Sequence, residues 1–221
     1  MAFDLSNHLA AMTRSVRSGT RDGVPTKVVV AARTFATSPA DLWNALTTAE
    51  RIGRWFLPVT GELELGGRYQ LHGNAGGVIE SCDPPRRFGI TWEYGGQLSW
   101  LDVSVVPDGE GARLELEHVA PIDAGSPAAE FWSTYGPGAT GVGWDMAFQG
   151  LARHLDDPSS GPPDPEAVAA WTISPEAKDL YATASRAWAE AAIADGTPED
   201  EAMAAAERTR AFYSGEAQPG G

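Results

Sequence analysis

The chain lacks several features on which whole classes of protein depend. It has one cysteine, Cys82, which excludes an internal disulfide and a metal site built from a cysteine cluster. Its four histidines show no metal-ligand spacing such as His-x-x-x-His. No serine occupies a Gly-x-Ser-x-Gly elbow, which positions the nucleophile in α/β-hydrolases. We therefore expect neither a metal ion nor another cofactor.

Charge and hydropathy exclude further classes of location and partner. No apolar run reaches the roughly 18 residues of a membrane span. The first residues lack the basic start and apolar core of a signal peptide, so we expect a cytoplasmic protein. The formal net charge of −14 argues against nucleic acid or an anionic membrane surface as a partner. Lysine is scarce, since 14 of the 16 basic residues are arginines and only Lys27 and Lys178 are lysines. Such a scarcity is typical of a GC-rich bacterial genome.

The stretch 38–67 predicts two short helices that follow a strand over 27–35. Ser38 and Pro39 have the form of a helix N-cap and first helical residue, and Asp41 follows three positions after the cap. A second short helix carries Trp55 and Phe56, and Pro58 ends it. A strand should then follow.

From Pro58 to Ala120 the apolar residues alternate with polar ones, which predicts strands joined by short turns. Tyr69 and Leu71 alternate with polar neighbours, and a glycine-rich loop leads to a strand from Val78 to Cys82. In the later strands, Trp92 alternates with polar neighbours in the same way, and so does His118. We expect both side chains on the apolar side of the sheet. Including the first strand, we expect about seven strands in a mainly antiparallel sheet.

A long helix near 140–155 should cover the apolar face of this sheet. Trp144, Phe148, Leu151 and Leu155 recur at spacings of four, three and four, which makes one apolar stripe. The expected fold class is therefore α+β, a helix-grip fold in which a curved antiparallel sheet wraps around a long C-terminal helix. Extra helices are expected at both ends of the chain.

Several local motifs carry a family resemblance over roughly 26–155. They are Arg33-x-Phe35, Arg54-Trp55-Phe56, Gly66-Gly67-x-Tyr69, Pro84-Pro85-Arg86, Thr91-Trp92, Leu116-Glu117-His118 and Gly143-Trp144. With these motifs the chain resembles the START-like (SRPBCC) superfamily, in the branch named after the activators of the heat-shock-protein ATPase. The resemblance implies an internal cavity between the sheet and the long helix.

The residues expected to line this cavity are mostly apolar and aromatic. The predicted ligand-binding set is Trp55, Phe56, Tyr69, Leu71, Val78, Trp92, His118, Trp132, Trp144 and Phe148. If the protein is an enzyme, His118 and Tyr69 are the best candidates for acid–base chemistry, because an unperturbed histidine titrates near neutral pH. A lone inward histidine is more often satisfied by a hydrogen bond than catalytic.

Both ends of the chain extend beyond the resemblance. Leu5, Leu9, Met12 and Val16 form a stripe with helical spacing, so residues 1–24 are predicted to be a helical extension. The helix-grip domain should span 25–156. A segment rich in proline, serine and aspartate follows, and residues 157–221 are predicted to be a linker and a helical extension. We expect these last helices to pack on the main domain or across a twofold dimer.

Three functions remain open at this stage. The first is non-catalytic binding or carriage of a small, mostly apolar molecule. The second is a polyketide cyclase- or lyase-like enzyme, as some START-like relatives are. The third, which rests on the name of the branch alone, is a co-chaperone-like interaction protein.

Overall fold

A computed structural model describes residues 5–159 and 161–216 of the chain. In these two stretches the helices are α1 (Leu5–Ala11), α2 (Pro39–Thr47), α3 (Ala49–Trp55), α4 (Pro127–Tyr135), α5 (Gly138–Asp156), α6 (Pro165–Thr172), α7 (Pro175–Ala194) and α8 (Glu199–Ser214). The strands are β1 (Thr13–Arg21), β2 (Val24–Phe35), β3 (Val59–Gly61), β4 (Arg68–Leu71), β5 (Gly76–Asp83), β6 (Arg87–Tyr94), β7 (Gln97–Asp108) and β8 (Gly111–Pro121). No helix in the described part is long and apolar enough to cross a membrane.

The strands form one sheet in the order β1-β2-β8-β7-β6-β5-β4-β3. From β3 to β8, each strand pairs antiparallel with the next one along the chain. The α+β helix-grip fold predicted from the sequence is therefore confirmed. Over the described residues the sheet has eight strands, slightly more than the seven or so expected.

The N-terminal segment differs from the sequence prediction. The helix ends at Ala11, and the residues from Thr13 onward form β1. Asp22 and Gly23 follow β1 with φ of 52° and 83°. Positive φ at two successive residues is typical of the tight turn that joins two antiparallel strands. This Asp-Gly turn therefore explains why Val16, predicted on a helix, lies on a strand.

The two short helices after β2 begin and end much as predicted. The backbone N–H of Asp41 donates to the Ser38 hydroxyl at 3.2 Å, so Ser38 is the N-cap of α2. The long helix α5 extends slightly beyond the predicted range at both ends.

The described fold divides into two compact units. Of the described residues, one unit contains 5–31, Pro121–Met146 and 163–216, and the other contains Ala32–Ala120, 147–159 and 161–162. We call them the extension unit and the sheet unit, because the second contains β3 to β7 and most of β8.

A buried carboxylate organises the extension unit. Asp145 of α5 has no exposed surface, and the Arg14 Nε of β1 donates to its two oxygens at 3.2 and 3.1 Å. The Trp188 indole N–H of α7 donates to the same carboxylate at 3.1 Å. The imidazole of His8 lies 3.1 Å from the Asp145 carbonyl oxygen and donates to it. Burial raises the pKa of Asp145 to about 6, although Arg14 acts in the opposite direction.

The C-terminal helices pack inside this unit. The predicted apolar stripe of α7, which includes Leu180, Tyr181 and Trp188, is fully buried. Alanines of α7 and α8 form a small shared core, and the Tyr213 hydroxyl donates to the Ala139 carbonyl at 2.6 Å. The helical extension thus contacts the first half of α5.

The contact between Trp188 and α5 leads to a test of packing. A Cβ built at Gly141 would lie 2.2 Å from the indole ring of Trp188, which has no exposed surface. Gly141→Ala should therefore lower the free energy of unfolding by about 1–3 kcal/mol, despite the better helix propensity of alanine. Urea unfolding followed by circular dichroism would measure the change.

Gly143→Ala is the matched control on the same helix. Its Cβ would meet only the Tyr213 hydroxyl at 3.2 Å, so the loss should be smaller. Equal stability of the Gly141→Ala variant and the unmodified protein would contradict the close packing of Trp188.

Candidate functional site

The register of β6, β7 and β8 separates their side chains onto two faces. Ile90 pairs with Leu101, and Leu101 pairs with His118, so these three side chains share one face. We call this the inner face, because it carries the buried residues Leu101, Val103 and Leu114. The opposite face is the outer face.

The inner face is only half-buried along β6 and around Ser99 and His118. Phe88, Ile90 and Trp92 follow each other along β6 on this face, and all three retain solvent exposure, as do Ser99 and His118. We call these five residues the inner-face site. Since a strand rises about 3.3 Å per residue, the row from Phe88 to Trp92 spans about 13 Å.

The polar centre of the site is a serine–histidine pair. The Ser99 hydroxyl lies 2.8 Å from Nε2 of His118 and 3.3 Å from the Trp92 carbonyl oxygen. The ring centroids of Trp92 and His118 are 6.0 Å apart. Ser99 pairs with Trp92 across β6 and β7, so the antiparallel register brings all three residues together.

The imidazole of His118 is neutral at physiological pH. The residue keeps some contact with solvent, yet the protein atoms packed around its ring lower the pKa of His118 to about 4, since the charged form loses much of its solvation. A neutral imidazole has one donor and one acceptor nitrogen, so its bond with Ser99 can run in either direction.

Aromatic side chains from α2 and α3 pack in the same unit. Trp43 contacts Phe88 edge-on, with centroids 5.8 Å apart. Trp55 stacks on Phe56 at 5.5 Å, and its indole N–H donates to the Ala45 carbonyl at 3.0 Å. Trp55, the last residue of α3, and Phe56, its C-cap, are both predicted lining residues, and both are half-buried.

Close contacts with α5 fix the position of α3. A Cβ at Gly150 would lie 2.3 Å from the Trp55 carbonyl oxygen, so the absence of a side chain at Gly150 allows the approach. The Arg51 Nε donates to Nε2 of the buried His154 at 3.0 Å. Burial, together with the charges of Arg51 and Arg54, lowers the pKa of His154, which favours the neutral ring that this bond requires.

Tyr69 and Leu71 lie on the inner side of β4, as predicted, and both are buried. The Tyr69 hydroxyl donates to the Thr91 carbonyl at 2.7 Å, so its hydrogen is already used within the protein. Burial raises the pKa of Tyr69 well above its usual value.

Val78 differs from the prediction. It pairs with the exposed Arg68, whereas Tyr69 pairs with Gly77, so Val78 faces away from Tyr69 and Leu71. A bulge after Ile79 shifts the alternation along β5, so the side on which Val78 lies could not be predicted from alternation alone.

The remaining predicted residues lie on helices. Phe148 is 2% exposed and packs against Phe35 with centroids 6.1 Å apart, within the sheet unit. Trp132 and Trp144 belong to the extension unit. Lys27 lies 5.7 Å from the centroid of the Trp132 ring, and Trp144 is 8% exposed.

Three residues of this site, Phe88, Ile90 and Ser99, are absent from the predicted lining set, and Ser99 is the polar one among them. The signal was available, because Ser99 precedes Leu101 by two positions on a strand whose buried residues alternate. What the sequence could not provide is the β7–β8 register that places His118 beside it.

An open groove of about 450 Å³ lies on the outer face of the same strands. Seven of its ten lining residues are polar, among them the acidic Asp83, Asp102, Glu115 and Glu117, and the other three are Cys82, Phe88 and Val103. Among the described residues, no group of three histidine, cysteine, aspartate or glutamate side chains could hold a metal ion.

The low pKa of His118 leads to a pH-dependent test. Because the unfolded imidazole titrates near 6.5 and the folded one near 4, the unfolded chain binds the proton more tightly. The contribution of His118 to stability is complete above pH 6.5 and should be lost as the pH falls to about 4. The full loss is about 3 kcal/mol.

His118→Gln would isolate this contribution, since glutamine does not titrate. The variant should be less stable than the unmodified protein at pH 7, and the gap in unfolding free energy should narrow at pH 4.5. Asp145 changes the unfolding free energy in the opposite direction, because its raised pKa favours the folded state as the pH falls from 6. Since both proteins contain Asp145, its effect cancels in the difference between them. A gap that does not change with pH would show that His118 is not enclosed.

Comparisons with known proteins agree with this architecture. The sequence model of the family Activator of Hsp90 ATPase homolog 1-like protein matches residues 36–156, more than half of the chain. A search of curated proteins finds no match.

Solved structures extend the likeness beyond that segment. The crystal structure of CalU16 from Micromonospora echinospora is 28% identical, covers 82% of this chain and 98% of its own, and has a TM-score of 0.64. The solution structure of the same protein is 27% identical, covers 84% of this chain and 97% of its own, and has a TM-score of 0.67. Protein EF2215 from Enterococcus faecalis, at 15% identity, covers 87% of this chain and 96% of its own with a TM-score of 0.57, a likeness of fold alone. With a matching family sequence model and a helix-grip sheet, the chain belongs to the Activator of Hsp90 ATPase homolog 1-like family.

Proposed function

We propose that the protein binds or carries a small, mostly apolar molecule at the inner-face site without chemically changing it. The observation that carries this proposal is the half-exposed row of Phe88, Ile90 and Trp92 on an otherwise buried face. Large apolar side chains in contact with solvent gain free energy when a ligand covers them. Ligand sites are typically apolar surfaces with a few converging polar groups, which here are Ser99 and His118.

The serine–histidine pair is also the observation that favours the second candidate, a cyclase- or lyase-like enzyme. A histidine 2.8 Å from a hydroxyl has the geometry of a general base. However, the lowered pKa makes His118 a weak base at neutral pH, whereas efficient proton transfer needs a pKa near the working pH. Non-catalytic binding is therefore the better supported function.

The family name points to a third function, interaction with a chaperone. Since one fold supports many functions, the name by itself is an analogy. No side chain described above favours this reading over a ligand site.

A pair of tryptophans provides the test. Trp92 lies on the inner face of β6, and Trp100 pairs with Thr91 on the outer face of β7. Both are half-buried, so they form a matched pair on opposite faces of the sheet. A neutral propionyl-dimethylaminonaphthalene dye should bind saturably and accept energy from tryptophan emission.

Trp92→Leu should weaken dye binding roughly tenfold, because a well-placed aromatic contact contributes about 1–1.5 kcal/mol. Trp100→Leu should leave the dissociation constant unchanged, with thermal melting used to check that both variants fold. Equal effects of the two substitutions would place the dye elsewhere, and the absence of saturable binding would overturn the proposal.

A further inference from the structure

We propose that the inner-face site selects an uncharged ligand that carries a hydroxyl or carbonyl oxygen, and that the Ser99 hydroxyl binds this oxygen. This inference rests on the proposed function and specifies the chemistry of the ligand. It depends on two observations, the distribution of charge across the sheet and the hydrogen bonds of Ser99.

The charged side chains of β6, β7 and β8 lie on the outer face. The pairing of Gly89 with Asp102 and of Asp102 with Glu117 puts these two acids on the face opposite Leu101. Arg87 and Glu93 share that face on β6, and so do Arg113 and Glu115 on β8. On the inner face, the described strand positions from Phe88 to Trp92, Ser99 to Val105 and Leu114 to His118 carry no acidic or basic side chain other than His118.

His118 does not supply a positive charge either, since its lowered pKa keeps the imidazole neutral. A further cation to consider is Arg33 of β2, which is half-buried and stands two positions before the buried Phe35. It lies over Phe35 and interacts electrostatically with Asp156. Phe35 approaches Gly111 at the start of β8, and His118 follows Gly111 by seven residues on that strand. Arg33, which lies close to Phe35, is therefore far from His118.

A carboxylate in this site would therefore lose its hydration without gaining a counter-charge. Burying an unpaired anion costs far more than burying an uncharged polar group that finds a hydrogen bond. The site should reject an acid and accept a ketone or phenol of the same shape.

The Ser99 hydroxyl can form a hydrogen bond with either a ligand hydroxyl or a ligand carbonyl. When its hydroxyl donates to Nε2 of His118, the serine oxygen can accept a hydrogen bond from a ligand hydroxyl. When the imidazole donates instead, the serine hydrogen is directed to the Trp92 carbonyl at 3.3 Å, a long contact that a ligand carbonyl can replace. The two tautomers of a neutral imidazole make both arrangements available.

The test uses three competitors of the same ring system at pH 7. Acetylnaphthalene, naphthalene and naphthoate would each displace the neutral naphthalene dye from the full-length protein. We expect acetylnaphthalene to bind about fivefold more tightly than naphthalene, the effect of one net hydrogen bond. Naphthoate should bind at least tenfold more weakly than the ketone.

Ser99→Ala should remove the advantage of the ketone and leave naphthalene binding unchanged. Ser104→Ala is the matched control, because Ser104 lies on the same strand and pairs with Arg87 and Glu115 on the outer face. If the dye does not bind at all, the proposed function itself fails. If the dye binds but naphthoate competes as well as the ketone, or if Ser99→Ala acts no differently from Ser104→Ala, only the present inference is overturned.

Discussion

The arrangement of the sheet unit depends on the strict two-residue alternation of β6, β7 and β8 in a fixed register. Asp102 and Glu117 lie on one face because each is one residue away from an inward neighbour, Leu101 and His118 respectively. A shift of one residue in either pairing would bring a carboxylate onto the apolar face, at a cost of several kcal/mol. The same constraint that stabilises the core therefore also leaves the inner-face site without charge.

A second set of contacts fixes the aromatic residues of α3. Gly150 lets the backbone at Trp55 approach α5, and the Arg51–His154 hydrogen bond holds the two helices side by side. This bond needs a neutral imidazole, since a protonated His154 would present a donor to a donor. Arg51 also donates to Asp41 at 2.6 Å, which connects α2 to the same cluster. One guanidinium group thus links both short helices to α5, in addition to the Trp55–Ala45 hydrogen bond between α3 and α2.

Local spacing was enough to predict much of this molecule. The Ser38 cap, the α5 stripe and the α7 stripe all depend on residues within a few positions of each other. The N-terminal helix was predicted too long, because the spacing of four, three and four over 5–16 outweighed the Asp22-Gly23 turn that makes β1 a strand. The inward side of His118 followed from alternation, whereas its bond with Ser99, 19 residues away, depends on strand register. Arg51 and His154 are 103 residues apart, and no local pattern connects them.

The convergence on Asp145 has a consequence for how the chain is made. Arg14 and His8, which bind the carboxylate and the carbonyl oxygen of Asp145, are translated early. The same carboxylate is also bound by Trp188, which leaves the ribosome much later. The sheet unit is complete by Pro162, so its core can form during synthesis, as is usual for domains that emerge first. Arg14 and His8 can bind Asp145 once α5 has emerged, but Trp188 joins its carboxylate only when α7 follows. The hydrogen-bonded cluster around Asp145 is therefore complete only after α7 has been synthesised.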